Sequence, residues 1–128
     1  MLTTLYQYYT METLVWVSQL LLAFMFLMAG AMKLIMAKEK FAEKMSWAEN
    51  YSGFQIKLIG FLEVAGATGL VLPAILDIYT FFMPLAAVGL TFMMLVAAVV
   101  HWKRRESTMI IMNFFLMGMA LLIVFFFL

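Results

Sequence analysis

Four stretches of this chain are each long enough and apolar enough to cross a lipid bilayer, and that excludes most folds. Spanning the hydrocarbon core takes about 20 predominantly apolar residues. Positions 13–36, 54–72, 78–102 and 109–128 supply them. Lipid cannot hydrogen-bond a backbone, and none of the stretches alternates as a barrel strand does, so each is predicted to be a helix. The expected fold is all-α, a four-transmembrane-helix bundle making one domain over 1–128. A short amphipathic interfacial helix is expected in the segment 37–53, between the first two spans. Composition points the same way. The chain is 67% hydrophobic and 12% charged, where soluble domains carry about 25% charged residues. A soluble chain of 128 residues has too much surface to hide that excess.

The connections differ in character. The segment 37–53 is long and charged, with Phe41, Met45 and Trp47 interleaved among Lys40, Glu43 and Lys44. This pattern suits a helix lying in the headgroup layer, anchored by Trp47 and Tyr51; a gate or a docking surface is the functional alternative. The second connection is very short. Pro73 is expected to end one helix and Asp77 to cap the start of the next. Pro84 requires the third helix either to kink there or to begin later than 78.

Every Lys and Arg falls in or beside the first and third connections: Lys33, Lys38, Lys40, Lys44 and Lys57, then Lys103, Arg104 and Arg105. The positive-inside rule therefore places the loops 37–53 and 103–108 in the cytoplasm and both termini outside a cell (inner or plasma) membrane. Ala29, Gly30 and Ala31 have the small-residue spacing of a signal-peptide cleavage site. The first thirteen residues contain no Lys or Arg, however, so the run 14–32 reads as a retained helix.

Several chemistries are excluded outright. There is no cysteine, hence no disulfide, thiol redox step or thiolate metal site. That argues against the four-helix quinone-reducing enzymes that work through paired cysteines. His101 is the only histidine, too few to clamp a haem between imidazoles or to build a multi-histidine zinc site. No metal site is expected and no cofactor is encoded. The basic residues lie between apolar spans, which speaks against nucleic acid as a partner.

The polar residues inside the spans carry the functional question. Glu63 lies about nine residues, roughly 13 Å, from either end of its span, too deep for a carboxylate to snorkel. An acidic side chain at mid-helix costs about 2.5–3.5 kcal/mol on insertion scales, so Glu63 should face the bundle interior, paired or protonated. Gly60, Gly66 and Gly69 on the same helix, with Gly30 on the first, read as helix-packing positions that admit a close neighbour. They would equally leave room for a ligand.

Each remaining span offers an inward stripe at helical spacing. These are Gln19, Ala23, Phe26, Gly30 and Lys33 in the first, Val88, Thr91, Leu95, Ala98 and His101 in the third, and Asn113, Met117, Ala120 and Val124 in the fourth. Glu63, Lys33, His101 and Asn113 fall at depths that would let them line the basic half of one bundle, with Gln19 in the other half. These five are the candidate ligand-binding residues. The plainer readings are a snorkelling Lys33, an interfacial His101, and Asn113 and Gln19 as interhelical hydrogen-bond partners. An intramembrane carboxyl such as Glu63 is by default a functional group.

Glu63 followed by a Gly/Ala-rich run ending at Pro73 resembles the second-helix signature of DoxX-like membrane proteins. Gln19 with Gly30 and Lys33 resembles the family's first helix, and His101, Glu106 and Asn113 its third-to-fourth helix region. The likeness extends from about Ser18 to Asn113. It implies a four-helix membrane bundle. Members of that family are linked to the membrane part of a thiosulfate:quinone oxidoreductase, and an animal relative to chaperoning of a receptor. The two halves of the chain also echo one another, each a pair of helices around a basic connection, as in a parallel repeat.

Three functions are compatible with these residues. The first is a site for quinone or another lipophile, built around Glu63 with Lys33 or His101, in an accessory subunit of membrane redox metabolism; a partner redox subunit would supply electrons. The second is an assembly factor or chaperone that holds another membrane protein through helix contacts. The third is a small transporter or proton path, disfavoured by the single deep acid.

Overall fold

A computed structural model describes residues 1–127; Leu128, the last position of the fourth expected span, lies outside the described residues. The elements are α1 (Leu2–Ile35), α2 (Lys38–Lys44), a 3-10 turn (Ser46–Asn50), α3 (Gly53–Leu76), α4 (Phe82–Lys103) and α5 (Ser107–Phe127). All four long helices have the length and hydropathy of membrane spans. α1 packs chiefly on α3 and α4 on α5, while α3–α4 and α1–α5 contacts close the ring. The fold is thus an up-and-down four-helix bundle, with α2 and the 3-10 turn at its basic end.

Helix ends differ from the expected boundaries for identifiable reasons. α1 starts at Leu2 rather than near 13, because its Tyr- and Thr-rich first turns are helical without being apolar enough to count as span. At the other end Lys57 Nζ donates to the Leu34 carbonyl at 2.9 Å, satisfying one of the open carbonyls of α1. α3 opens with a capping box, in which Ser52 accepts from the Gln55 amide and Gln55 from the Ser52 amide.

Two expectations for the short turn are corrected. α3 continues through Pro73 to Leu76, and Asp77 caps its C-terminus instead of starting α4. Asp77 takes left-handed angles, φ 54° and ψ 38°, a conformation that short polar side chains tolerate. The amides of Asp77 and Ile78 both turn back to the Pro73 carbonyl. α4 then begins at Phe82. Pro84 therefore sits in its first turn, where the missing N–H breaks no helical bond and no kink is required.

The core is made by small and aliphatic side chains at helical spacing: Val15 and Leu22 of α1, Leu70 of α3, Ala87, Leu90 and Met94 of α4, Ala120 and Ile123 of α5. This corrects the stripe expected on α4. Val88 and Leu95 face outward, about half exposed, and the inward row is Met83, Ala87, Leu90, Met94, Ala98 and His101. In a span that is apolar all round, neighbouring rows are equally hydrophobic, so periodicity alone does not select the buried one. The outward faces carry Phe61, Phe92 and Phe115, each 60–66% exposed, as suits contact with acyl chains.

Close approach fixes where α1 and α3 cross. A Cβ at Gly30 would stand 2.6 Å from the Gly60 carbonyl oxygen, and one at Gly60 would stand 2.7 Å from Lys33 Cβ and 2.8 Å from the Gly30 carbonyl oxygen. Gly66 is filled by Leu90, whose Cδ2 lies 2.7 Å from the Cβ position. By contrast nothing lies within 4 Å of a Cβ at Gly118. Gly30→Leu is therefore expected to lower stability by about 1–3 kcal/mol through overpacking, whereas Gly118→Ala should raise it by up to about 1 kcal/mol through helix propensity. Reversible unfolding in mixed detergent micelles, followed by circular dichroism, measures both. Equal effects of the two substitutions would contradict this crossing.

Candidate functional site

The glycine crossing brings two charges together. Lys33 lies one turn beyond Gly30 on α1, and Glu63 one turn beyond Gly60 on α3. Lys33 Nζ stands 2.7 Å from Glu63 Oε1. The two residues are 8% and 4% exposed, so the pair is withdrawn both from lipid and from water. Among the described residues it is the only ion pair that Glu63 makes. Removing both charges from water costs several kcal/mol each, which a well-formed pair largely offsets.

The segment 37–53, which the sequence led one to expect in the headgroup layer, packs onto the basic end of the bundle. Phe41 and Ala48 are fully buried, and with Ile56 of α3 they form a second small core at the basic end. Trp47 meets Phe41 edge to face at 5.8 Å and Tyr51 at 5.7 Å. Lys33 Nζ lies 5.6 Å from the centre of the Phe41 ring and 5.8 Å from that of Trp47. The ammonium thus faces one carboxylate and two aromatic rings, a combination that suits a cation out of water.

His101 is buried at the end of α4, yet it does not join this pair. Its Nδ1 lies 3.3 Å from Glu106 Oε2, within ion-pair range when the imidazole is protonated but too misaligned for a hydrogen bond. The other carboxylate oxygen of Glu106 accepts from Arg104 Nε, and Arg104 Nη2 donates to Ser46 Oγ at 2.9 Å. This last bond joins the two basic loops. The Arg104 hydrogen bond, with His101 also nearby, holds the Glu106 carboxyl below its ordinary range despite partial desolvation. A depressed carboxyl pKa means that the bond's contribution is present above the ordinary carboxylate pKa and is lost as pH falls through the depressed value.

Asn113 is half-buried on α5, with Nδ2 fully buried and unpartnered. Gln19 is in the other half of the bundle, where its Nε2 donates to the Leu70 carbonyl at 2.7 Å and contacts Met83 Sδ at 3.3 Å. It ties α1 to α3 and α4. A shallow groove of about 250 Å³ between α1 and α3 runs from Leu27 and Ala67 to Ile75, and none of the five candidate residues lines it. Gly60, Gly66 and Gly69 leave no vacant notch beside Glu63: they are occupied by α1 at Gly30 and by Leu90 and Ala86 of α4. Sequence reasoning missed Ser46 as the contact of Arg104 and Met83 as the contact of Gln19. Neither carries a local signal.

Set beside known proteins, the chain matches a family model described as DoxX-like over residues 17–125. The chain belongs to the DoxX-like family. The match takes in Gln19, Lys33, Glu63, His101 and Asn113, and runs through all four long helices. No curated protein matches this DoxX-like chain, and no solved structure does. Family and helices together make it a multi-pass membrane protein.

The pair can be tested apart from any ligand. Lys33→Met leaves the Glu63 carboxylate buried without a counter-charge and should cost about 3–5 kcal/mol. The double variant Lys33→Met, Glu63→Leu removes both charges and is expected to recover most of that loss. Unfolding free energies of the single and double variants in one detergent provide the comparison. A double variant no more stable than Lys33→Met would mean that the pair is not what the site depends on.

Proposed function

We propose that this DoxX-like chain binds the polar head of a quinone-type lipophile at Lys33 and Glu63 and serves as an accessory subunit in membrane redox metabolism. The observation that carries this reading is a buried ion pair roofed by two aromatic rings. Well-packed apolar side chains would hold two helices together at least as well as a buried pair, so two charges in this position favour a binding role. The chemistry fits a quinone. An ammonium donates to a carbonyl oxygen, a carboxyl group gives or takes a proton, and the Phe41 and Trp47 faces offer stacking to a planar ring. With no cysteine and a single histidine, electrons would come from a partner subunit or a bound cofactor.

Purified protein titrated with a short-tailed quinone should show saturable quenching of Trp47 fluorescence. Glu63→Gln and Lys33→Gln should each weaken binding at least about tenfold, the scale of one lost charge-assisted hydrogen bond. Trp16→Phe should leave it unchanged. Undiminished affinity in Glu63→Gln would end the quinone proposal.

An assembly role is the second reading. Gly89 of α4 and Gly118 of α5 have nothing within 4 Å of a Cβ position, and open small-residue positions on the outer faces of helices admit a helix of another protein. Co-purification from native membranes that is lost in Gly118→Leu, with Glu63→Gln retaining it, would favour this reading over quinone binding.

We also propose that the basic end faces the cytoplasm, with both termini outside, because all eight Lys and Arg residues lie at that end. The absence of cysteine makes single-cysteine mapping direct. An impermeant maleimide applied to intact cells should label Thr3→Cys and spare Lys44→Cys. The reverse pattern would invert the topology.

A further inference from the structure

The basic end contains a feature that ligand binding alone does not use: a polar chain running from the α4–α5 loop to the segment that covers Lys33. We propose that α2 and the 3-10 turn form a lid over the Lys33–Glu63 pair, latched shut by Arg104. The latch has three parts. Arg104 Nη2 donates to Ser46 Oγ at 2.9 Å; Ser46 immediately precedes Trp47, one of the two rings over Lys33. Glu106 accepts from Arg104 Nε and so orients the guanidinium. The second oxygen of Glu106 faces His101 Nδ1 at 3.3 Å, which ties the latch to a buried side chain of α4. Among the described residues, the Arg104–Ser46 bond is the only side-chain hydrogen bond between the covering segment and the rest of the bundle.

The covering segment is built to move as a unit. α2 has seven residues and the 3-10 turn five, too short to be stable as isolated helices. Their order comes from Phe41, Ala48 and Ile56 packing together. The joints at Ala37 and Tyr51 have extended backbones (ψ 146° and 151°), each tied to the segment by a single capping bond, Phe41 N–H to the Ala37 carbonyl and Tyr51 N–H to the Ala48 carbonyl. Such a segment opens at a lower free energy than the bundle unfolds. Lifting it takes the Phe41 and Trp47 rings off Lys33 and exposes the pair to the aqueous side at the basic end. The α4–α5 loop, remote from the pair in sequence, thereby controls access to it. The lid itself does not depend on the quinone reading; only the identity of what enters does.

The test uses full-length protein in detergent micelles and hydrogen exchange read by mass spectrometry. Arg104→Gln should speed exchange across 38–50 about tenfold and leave α3–α5 amides unchanged; Glu106→Gln should act in the same direction. Lys103→Gln, which removes a neighbouring charge outside the latch, should change nothing. A second readout is modification of Glu63 by a water-soluble carbodiimide, expected to rise several-fold in Arg104→Gln. Unchanged exchange over 38–50 in Arg104→Gln overturns the latch. So does equal acceleration by Lys103→Gln, which would mean diffuse charge, or acceleration spreading through α4, which would mean loss of the bundle. Faster lid exchange with no quinone binding in any variant supports the lid and counts against the quinone reading alone.

Discussion

Hydrocarbon offers a carboxylate neither water nor counter-ions, and Glu63 is placed where only another part of the chain can answer its charge. The structure meets that demand with Lys33, and the rest of the basic end follows. For the two side chains to meet across 2.7 Å, α1 and α3 must come almost into backbone contact, which is possible because Gly30 and Gly60 face each other at the crossing. Holding the ammonium there in turn calls for shielding from water, and Phe41 and Trp47 supply it from the loop that joins the same two helices. Charge, crossing and cover form one dependency, from sequence to packing to site.

The opposite half of the bundle is organised more simply. Gln19 reaches the Leu70 carbonyl in the last turns of α3, close to Pro73, which has no N–H to give the helix. One side-chain amide thus joins α1 to the last turns of α3, one residue from Gly69, whose carbonyl Pro73 leaves without a helical donor. Between this link and the Lys33–Glu63 pair, α1 and α3 are held by packing alone. Lipid supplies no hydrophobic drive between helices, so polar contacts at two depths fix the register that apolar faces would leave loose.

The bundle itself was legible because its cause is global. Four apolar runs and a complete segregation of basic residues need no partner information to interpret. The burial of Glu63 followed from depth alone. What sequence could not supply was choice among equivalents. Val88 and Leu95 looked as suited to the interior of α4 as Ala87, Leu90 and Met94, because hydropathy does not distinguish rows on a uniformly apolar helix. Asp77 had the residue type of an N-cap, and only the left-handed turn made it the end of α3. His101 and Glu63 lay at similar depth, yet each paired within its own half of the chain, His101 with Glu106 and Glu63 with Lys33. Contacts between distant loops, such as Arg104 with Ser46, have no periodic signature. They arise from how two connections meet once the helices have closed the ring.

The helices are also unequally anchored, and this bears on how the bundle meets its bilayer. Among the described residues α5 has only Ala120 and Ile123 fully buried against its neighbours, whereas α1, α3 and α4 each bury six. A mismatch between a span and the hydrocarbon thickness is accommodated by tilting or local strain of individual helices. That strain falls first on the helix least tied to the others, so the thickness of the surrounding lipid acts on this bundle through α5.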